Sequence, residues 1–303
     1  MGGGHGHGQA SATARHRGRM LVVVAITSLV FVVQVVGGIA ANSLALISDA
    51  LHVATDITGV LMALIASHFA ARPASERRTF GYYRLEILAA MVNAVVLFGI
   101  AIWVFSEAWQ RFFAPPEVSS GLVLVIALFG LAVNGVSLAL LHGGQKESLN
   151  VRGAYLEVLG DLLGSVAVVA AAVAIQLTGR YVIDPIASVV VAVMILPRAW
   201  RLLREAVDVL LEATPKGMDL SEVRRHMLDR KGVLDVHDLH AWTLTSGLPV
   251  LSAHVVVEDS RLRDAGRLLD ELHETLLGRF DVEHSTIQIE PVGHSDHEGA
   301  RHA

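Results

Sequence analysis

The chain has 303 residues, 53% hydrophobic and only 17% charged, with a mean hydropathy of +0.52, a balance that points away from an ordinary soluble domain and toward a membrane protein. The formal net charge of −5 is dispersed over both signs, which argues against nucleic acid as a partner. Cysteine is absent, so disulfides, copper(I) thiolates and iron–sulfur centres are excluded and any metal must be held by nitrogen and oxygen.

Residues 1–19 are Gly, His, Ala and Arg without hydrophobic periodicity and read as a flexible tail carrying His5, His7 and His16. The apolar run that starts near Met20 is longer than the h-region of a cleavable signal and is expected to stay as the first span. Six spans are expected at about 20–41, 44–71, 85–110, 118–141, 152–177 and 181–203, each close to the roughly 20 apolar residues that cross a bilayer. With the N-terminus inside, basic residues from Arg15 to Arg204 gather on the cytoplasmic side. The outer loops keep only Arg111 and Arg180. That asymmetry predicts a multi-pass protein of the cell (inner) membrane with both termini cytoplasmic.

Ionisable groups inside a span are expensive, and each is a functional candidate. The second span carries Asp49, His52 and Asp56, on one helical face at offsets of three and four. The fifth carries Glu157 and Asp161, one turn apart and mutually repulsive unless a proton or a cation lies between them. A metal site where these helices meet satisfies His52, Asp56, Glu157 and Asp161 together. One imidazole and three carboxylates suit tetrahedral zinc and also admit cobalt, cadmium, manganese and iron(II). Asp49 is read as a group behind the ligands, orienting His52 or standing on a water path. Gln34, Asn42, Asn93 and Asn134 are read as interhelical hydrogen-bonding groups.

From about Val207 the composition turns soluble. A helix at 219–231, strands at 233–245 and 249–258 around a Ser246–Gly247 turn, a helix at 262–279 and a strand at 282–290 give the order αββαβ, with both helices on one face of a three-stranded sheet. The expected architecture is therefore an α-helical membrane protein of six transmembrane helices with a small C-terminal α+β cytoplasmic domain. Its divisions are a tail at 1–19, the membrane domain at 20–206, a cytoplasmic regulatory domain at 207–292, and a tail at 293–303 that carries His294, His297 and His302. On the strands, ideal alternation sends His237 and His240 to opposite faces and lets His237 and His254 face each other across the hairpin. Glu290, at the end of the last strand, can join them as a regulatory metal site; packing of half-buried strand histidines is the competing reading.

At these residues the chain resembles the cation diffusion facilitator family, whose zinc-selective members carry an HxxxD pair in the second and fifth spans. The second reads His52-Val53-Ala54-Thr55-Asp56. Further matches are 42–50, Thr79-Phe80-Gly81-Tyr82-Tyr83-Arg84-Leu85-Glu86, 150–156, Asp184-Pro185, Leu210-Leu211-Glu212-Ala213-Thr214-Pro215, 236–242 and 286–290. One position departs: Glu157 stands where zinc-selective relatives have histidine, which makes the site harder and more negative. Arg77, Arg78 and Tyr82 lie where some relatives bind metal between the second and third spans, and no metal site is expected there. The resemblance implies a homodimer, a ferredoxin- or metallochaperone-like cytoplasmic domain and alternating access. It implies a proton-coupled antiporter that exports zinc, with cadmium or cobalt as further cargo. A preference for manganese or iron(II) is the alternative within the family.

Ligands must lose protons to bind metal, so proton exchange can drive the cycle without ATP. No GxxxxGK[ST] motif occurs, and no cofactor is expected beyond Zn2+ as substrate and regulatory ligand. The rivals are an intramembrane metalloprotease, which needs the missing HExxH, and a non-transporting metal sensor anchored by its spans.

Overall fold

The computed structural model describes residues 25–70, 72–143, 149–245 and 247–294. The tail histidines His5, His7, His16, His297 and His302, the start of the first span and Ser246 lie outside the described residues.

Six helices form the membrane part: α1 (Ala25–Ala41), α2 (Leu44–Ala70), α3 (Arg84–Phe113), α4 (Ser120–His142), α5 (Leu149–Thr178) and α6 (Ile183–Leu210). Within α3, α4, α5 and α6 the apolar stretches are long enough to cross a membrane. The helix ends follow from local chemistry. Asn42, at φ 53, closes α1 while Ser43 N–H bonds back to Gly38 O at 3.0 Å; Gly179, at φ 67, closes α5 the same way on Ile175 O at 2.8 Å. Pro185 sits in the first turn of α6, where its missing N–H costs nothing. Asp184 beside it takes Ser43 Oγ at 2.5 Å and Leu44 N–H at 2.7 Å, so a residue of α6 caps the start of α2.

The core between these helices is rich in small residues, including Ala41, Ala45, Ala127, Ala172, Ala187 and Ala199. Small side chains let helices approach closely where lipid removes the hydrophobic drive. Large apolar groups such as Ile39, Ile102, Val125, Leu177 and Trp200 face outward, the reverse of a soluble bundle. Two interhelical bonds match the sequence expectation: Gln34 Nε2 donates to Asp49 Oδ2 at 2.6 Å, and Asn134 Nδ2 to Ser165 Oγ at 3.2 Å.

The chain divides into two compact units, one running to residue 63 and resuming at 92–203, the other holding 64–91 and everything from 204. In the second unit, α7 (Leu220–Leu228), β1 (Val233–Thr243), β2 (Pro249–Val257), α8 (Asp259–Leu262), α9 (Ala265–Phe280) and β3 (His284–Pro291) follow in order. The expected single helix at 262–279 is broken into α8 and α9 around Arg263 and Asp264. Strand β2 is central, antiparallel to β1 and parallel to β3; the parallel pairing needs the crossover that α8 and α9 supply. Val223 and Met227 of α7 and Leu268, Leu272 and Leu276 of α9 bury against Leu251, Ala253, Val255 and Val257 of β2. Each fully buried leucine contributes on the order of 1.5–3 kcal/mol. Asp219 caps α7 by accepting Ser221 N–H at 2.8 Å, and the hydrogen bonds from Ser221 hold its carboxyl below the usual range. The α2–α3 connection belongs to this unit: Thr245 Oγ1 donates to Glu86 Oε2, Arg84 pairs with Glu212 at 2.6 Å, and Phe80 meets His284 edge-on at 5.4 Å.

Candidate metal sites

In α2 the spacing of three and four residues stacks Asp49, His52 and Asp56 along one face, all at or near full burial. Asp161 of α5 comes to the same place: His52 Nε2 is 3.3 Å from Asp161 Oδ1 and 3.8 Å from Asp56 Oδ2. One ligand atom from each of His52, Asp56 and Asp161 lies within 4.8 Å of the other two. Asp56 Oδ2 and Asp161 Oδ1 are buried, and neither receives a hydrogen bond of good geometry from the described residues. Two carboxylate oxygens converging on an imidazole nitrogen make a set that a divalent cation can satisfy.

The close approach of α5 to α2 depends on Gly164. A Cβ there would stand 2.7 Å from Asp49 Oδ1, so any larger residue pushes against a buried carboxylate. Asp49 is held by Gln34 and stays outside the converging trio, in keeping with a position behind the ligands.

Glu157 is placed differently from the other three candidates. It is not in the converging trio; its Oε1 accepts from Arg198 Nη2 at 2.5 Å. The same nitrogen lies 3.2 Å from Asp56 Oδ1. Arg198 was legible in the sequence only as one cation in the cytoplasmic count. It sits on α6, directly after Pro197 inside the helix, and reaches α2 and α5 from there.

The second cluster lies on the sheet face away from α7 and α9. Residues His237 and His254 are paired directly across β1 and β2, with ring centroids 5.3 Å apart. Glu290, 1% exposed, reaches both: Oε1 is 2.9 Å from His254 Nδ1 and Oε2 is 3.4 Å from His237 Nε2. Gln288 Nε2 donates to Oε1 at 2.7 Å. These three residues also present ligand atoms within 4.8 Å of one another.

The expectation that His237 and His240 face opposite ways is corrected. The register jumps from His237↔His254 to His240↔Ser252: two residues of β1, Asp238 and Leu239, stand opposite one of β2. This bulge, with Asp238 at φ 47, restores His240 to the face of His237. Asp238 then lies between two histidines, 2.9 Å from His240 Nε2 and 3.7 Å from His254 Nε2.

Comparison with known proteins gives the same outline. Residues 20–211 match the cation efflux transmembrane domain, and residues 215–292 match the cation efflux protein cytoplasmic domain. The metal cation efflux system protein CzcD of Cupriavidus metallidurans is 45% identical over 281 residues, covering 93% of this chain and 89% of its own. The zinc transporter ZitB of Escherichia coli is 43% identical over 273 residues, 89% and 86% of the two chains. The cadmium, cobalt and zinc/H(+)-K(+) antiporter of Bacillus velezensis is 41% identical over 266 residues, 87% and 85%.

Proposed function

The chain belongs to the cation efflux family of membrane transporters, which are not enzymes, and on that premise we propose that it exports a divalent transition metal, zinc first and cadmium or cobalt besides, from the cytoplasm in exchange for protons. The observation that carries the reading is the convergence of His52, Asp56 and Asp161 from two helices onto one point inside the membrane bundle. These three hold the ion, and Glu157 completes the set as a fourth ligand. A carboxylate trio beside one imidazole must give up protons to take a cation and regains them when it leaves, so metal and proton occupy the site by turns. Alternating exposure of the site then makes this competition an antiport. The names of the relatives, zinc transporter and cadmium, cobalt and zinc/H(+)-K(+) antiporter, support the cargo and the coupling.

The cytoplasmic cluster of His237, His254 and Glu290 is the regulatory site in this reading, and the protein works as a homodimer through its cytoplasmic domain, which the match at 215–292 supports. Purified protein in liposomes with a pH-sensitive dye tests the coupling. Zinc uptake is expected to rise several-fold when the vesicle interior is more acidic than the medium and to be accompanied by outward movement of protons. Zinc flux of equal rate with and without the gradient, and no dye response, would reject proton exchange.

A further inference from the structure

Arg198 Nη2 is shared between Glu157 of α5 and Asp56 of α2, at 2.5 and 3.2 Å. The carboxylate of Asp56 is thereby split, Oδ1 toward Arg198 and Oδ2 toward His52. Ionised, Asp56, Glu157 and Asp161 sum to −3, and in the metal-free site Arg198 offsets one of these charges. Arginine does not deprotonate in proteins, so it leaves the cluster only by moving. The side chain is 46% exposed against 11% for Asp56, so it is not enclosed by the bundle as Asp56 is.

A divalent ion on His52, Asp56 and Asp161 and a guanidinium on the same Asp56 repel each other. Resting on the transport site assigned above, we propose that Arg198 is a resident counter-cation: in the metal-free carrier it clamps Asp56 and Glu157 and ties α2, α5 and α6 together, and incoming metal displaces it. Glu157 becomes available as the fourth ligand only on that displacement. Arg198 is thus a positioning residue that lowers metal affinity and speeds release, because its return to the two carboxylates competes with the ion. It also gives a reason for Glu157 in this chain, since the added anion arrives with its own counter-ion.

The test uses full-length protein carrying His237→Ala and His254→Ala, so that only the transport site is read. Zinc binding is measured by calorimetry in detergent and zinc uptake in liposomes. Arg198→Gln is expected to tighten zinc binding about tenfold, the worth of one charge-assisted pair, and to lower KM and kcat together as release slows. Arg198→Lys keeps the charge but loses the fork, and falls between the two. If Arg198→Gln does not survive purification, the smaller shift in Arg198→Lys carries the same reading. Unchanged or weaker zinc binding in the purified variants would overturn the proposal. An Asp161→Ala control that still binds and moves zinc would instead overturn the site itself, whatever Arg198 does.

Discussion

As the proposed fourth ligand, a carboxylate at 157 makes the set between α2 and α5 harder than a two-histidine set, because imidazole favours zinc over harder cations while carboxylate oxygen also accepts manganese and iron(II). Glu157→His should therefore narrow the accepted metals toward zinc, read as the ratio of uptake rates for zinc, cadmium, cobalt, manganese and iron(II). Identical profiles in wild type and variant would remove Glu157 from the ligand set. All four proposed ligands, His52, Asp56, Glu157 and Asp161, were legible as candidates in the sequence because a charged group in a span has few other reasons to be there. The ion pair between Arg198 and Glu157 was not. Arg198 lies near the cytoplasmic end of the expected span at 181–203, and nothing in hydropathy or spacing says that α6 carries it to Asp56.

Single elements explain where the cytoplasmic cluster comes from. Glu290 joins His254 because parallel pairing sets it opposite Val256, two residues beyond His254, whereas the pairing of His237 with His254 needs the bulge: the register from Thr243↔Pro249 to His240↔Ser252, continued unbroken, would set His237 opposite Val255. The bulge at Asp238 is different in kind. Alternation cannot foresee an inserted residue, and an aspartate tolerates φ 47 better than most side chains. Likewise, the break between α8 and α9 falls in an apparently continuous helical pattern. His237→Ala with His254→Ala removes two of the three proposed ligands, and zinc binding by full-length protein at this site should weaken by about 10–100-fold. Transport should be altered in its zinc dependence and not lost. Calorimetry showing the same number and strength of zinc sites in wild type and double variant would return these histidines to packing.

At the scale of the whole molecule, length and hydropathy were enough to give six helices followed by a small sheet domain. What they did not give is the allotment of 64–91 to the second unit, which Thr245, Glu86, Arg84 and Glu212 bring about through long-range bonds. The membrane domain carries the central claim, that a divalent cation is held between α2 and α5 by His52, Asp56 and Asp161. Asp161 places a carboxylate oxygen 3.3 Å from His52 and is 4% exposed. The most direct test is zinc uptake into liposomes by wild type and Asp161→Ala at equal protein density, with folding checked by elution as a single species. The account predicts uptake by the variant at the level of protein-free vesicles, while near-normal uptake by well-folded Asp161→Ala would contradict it.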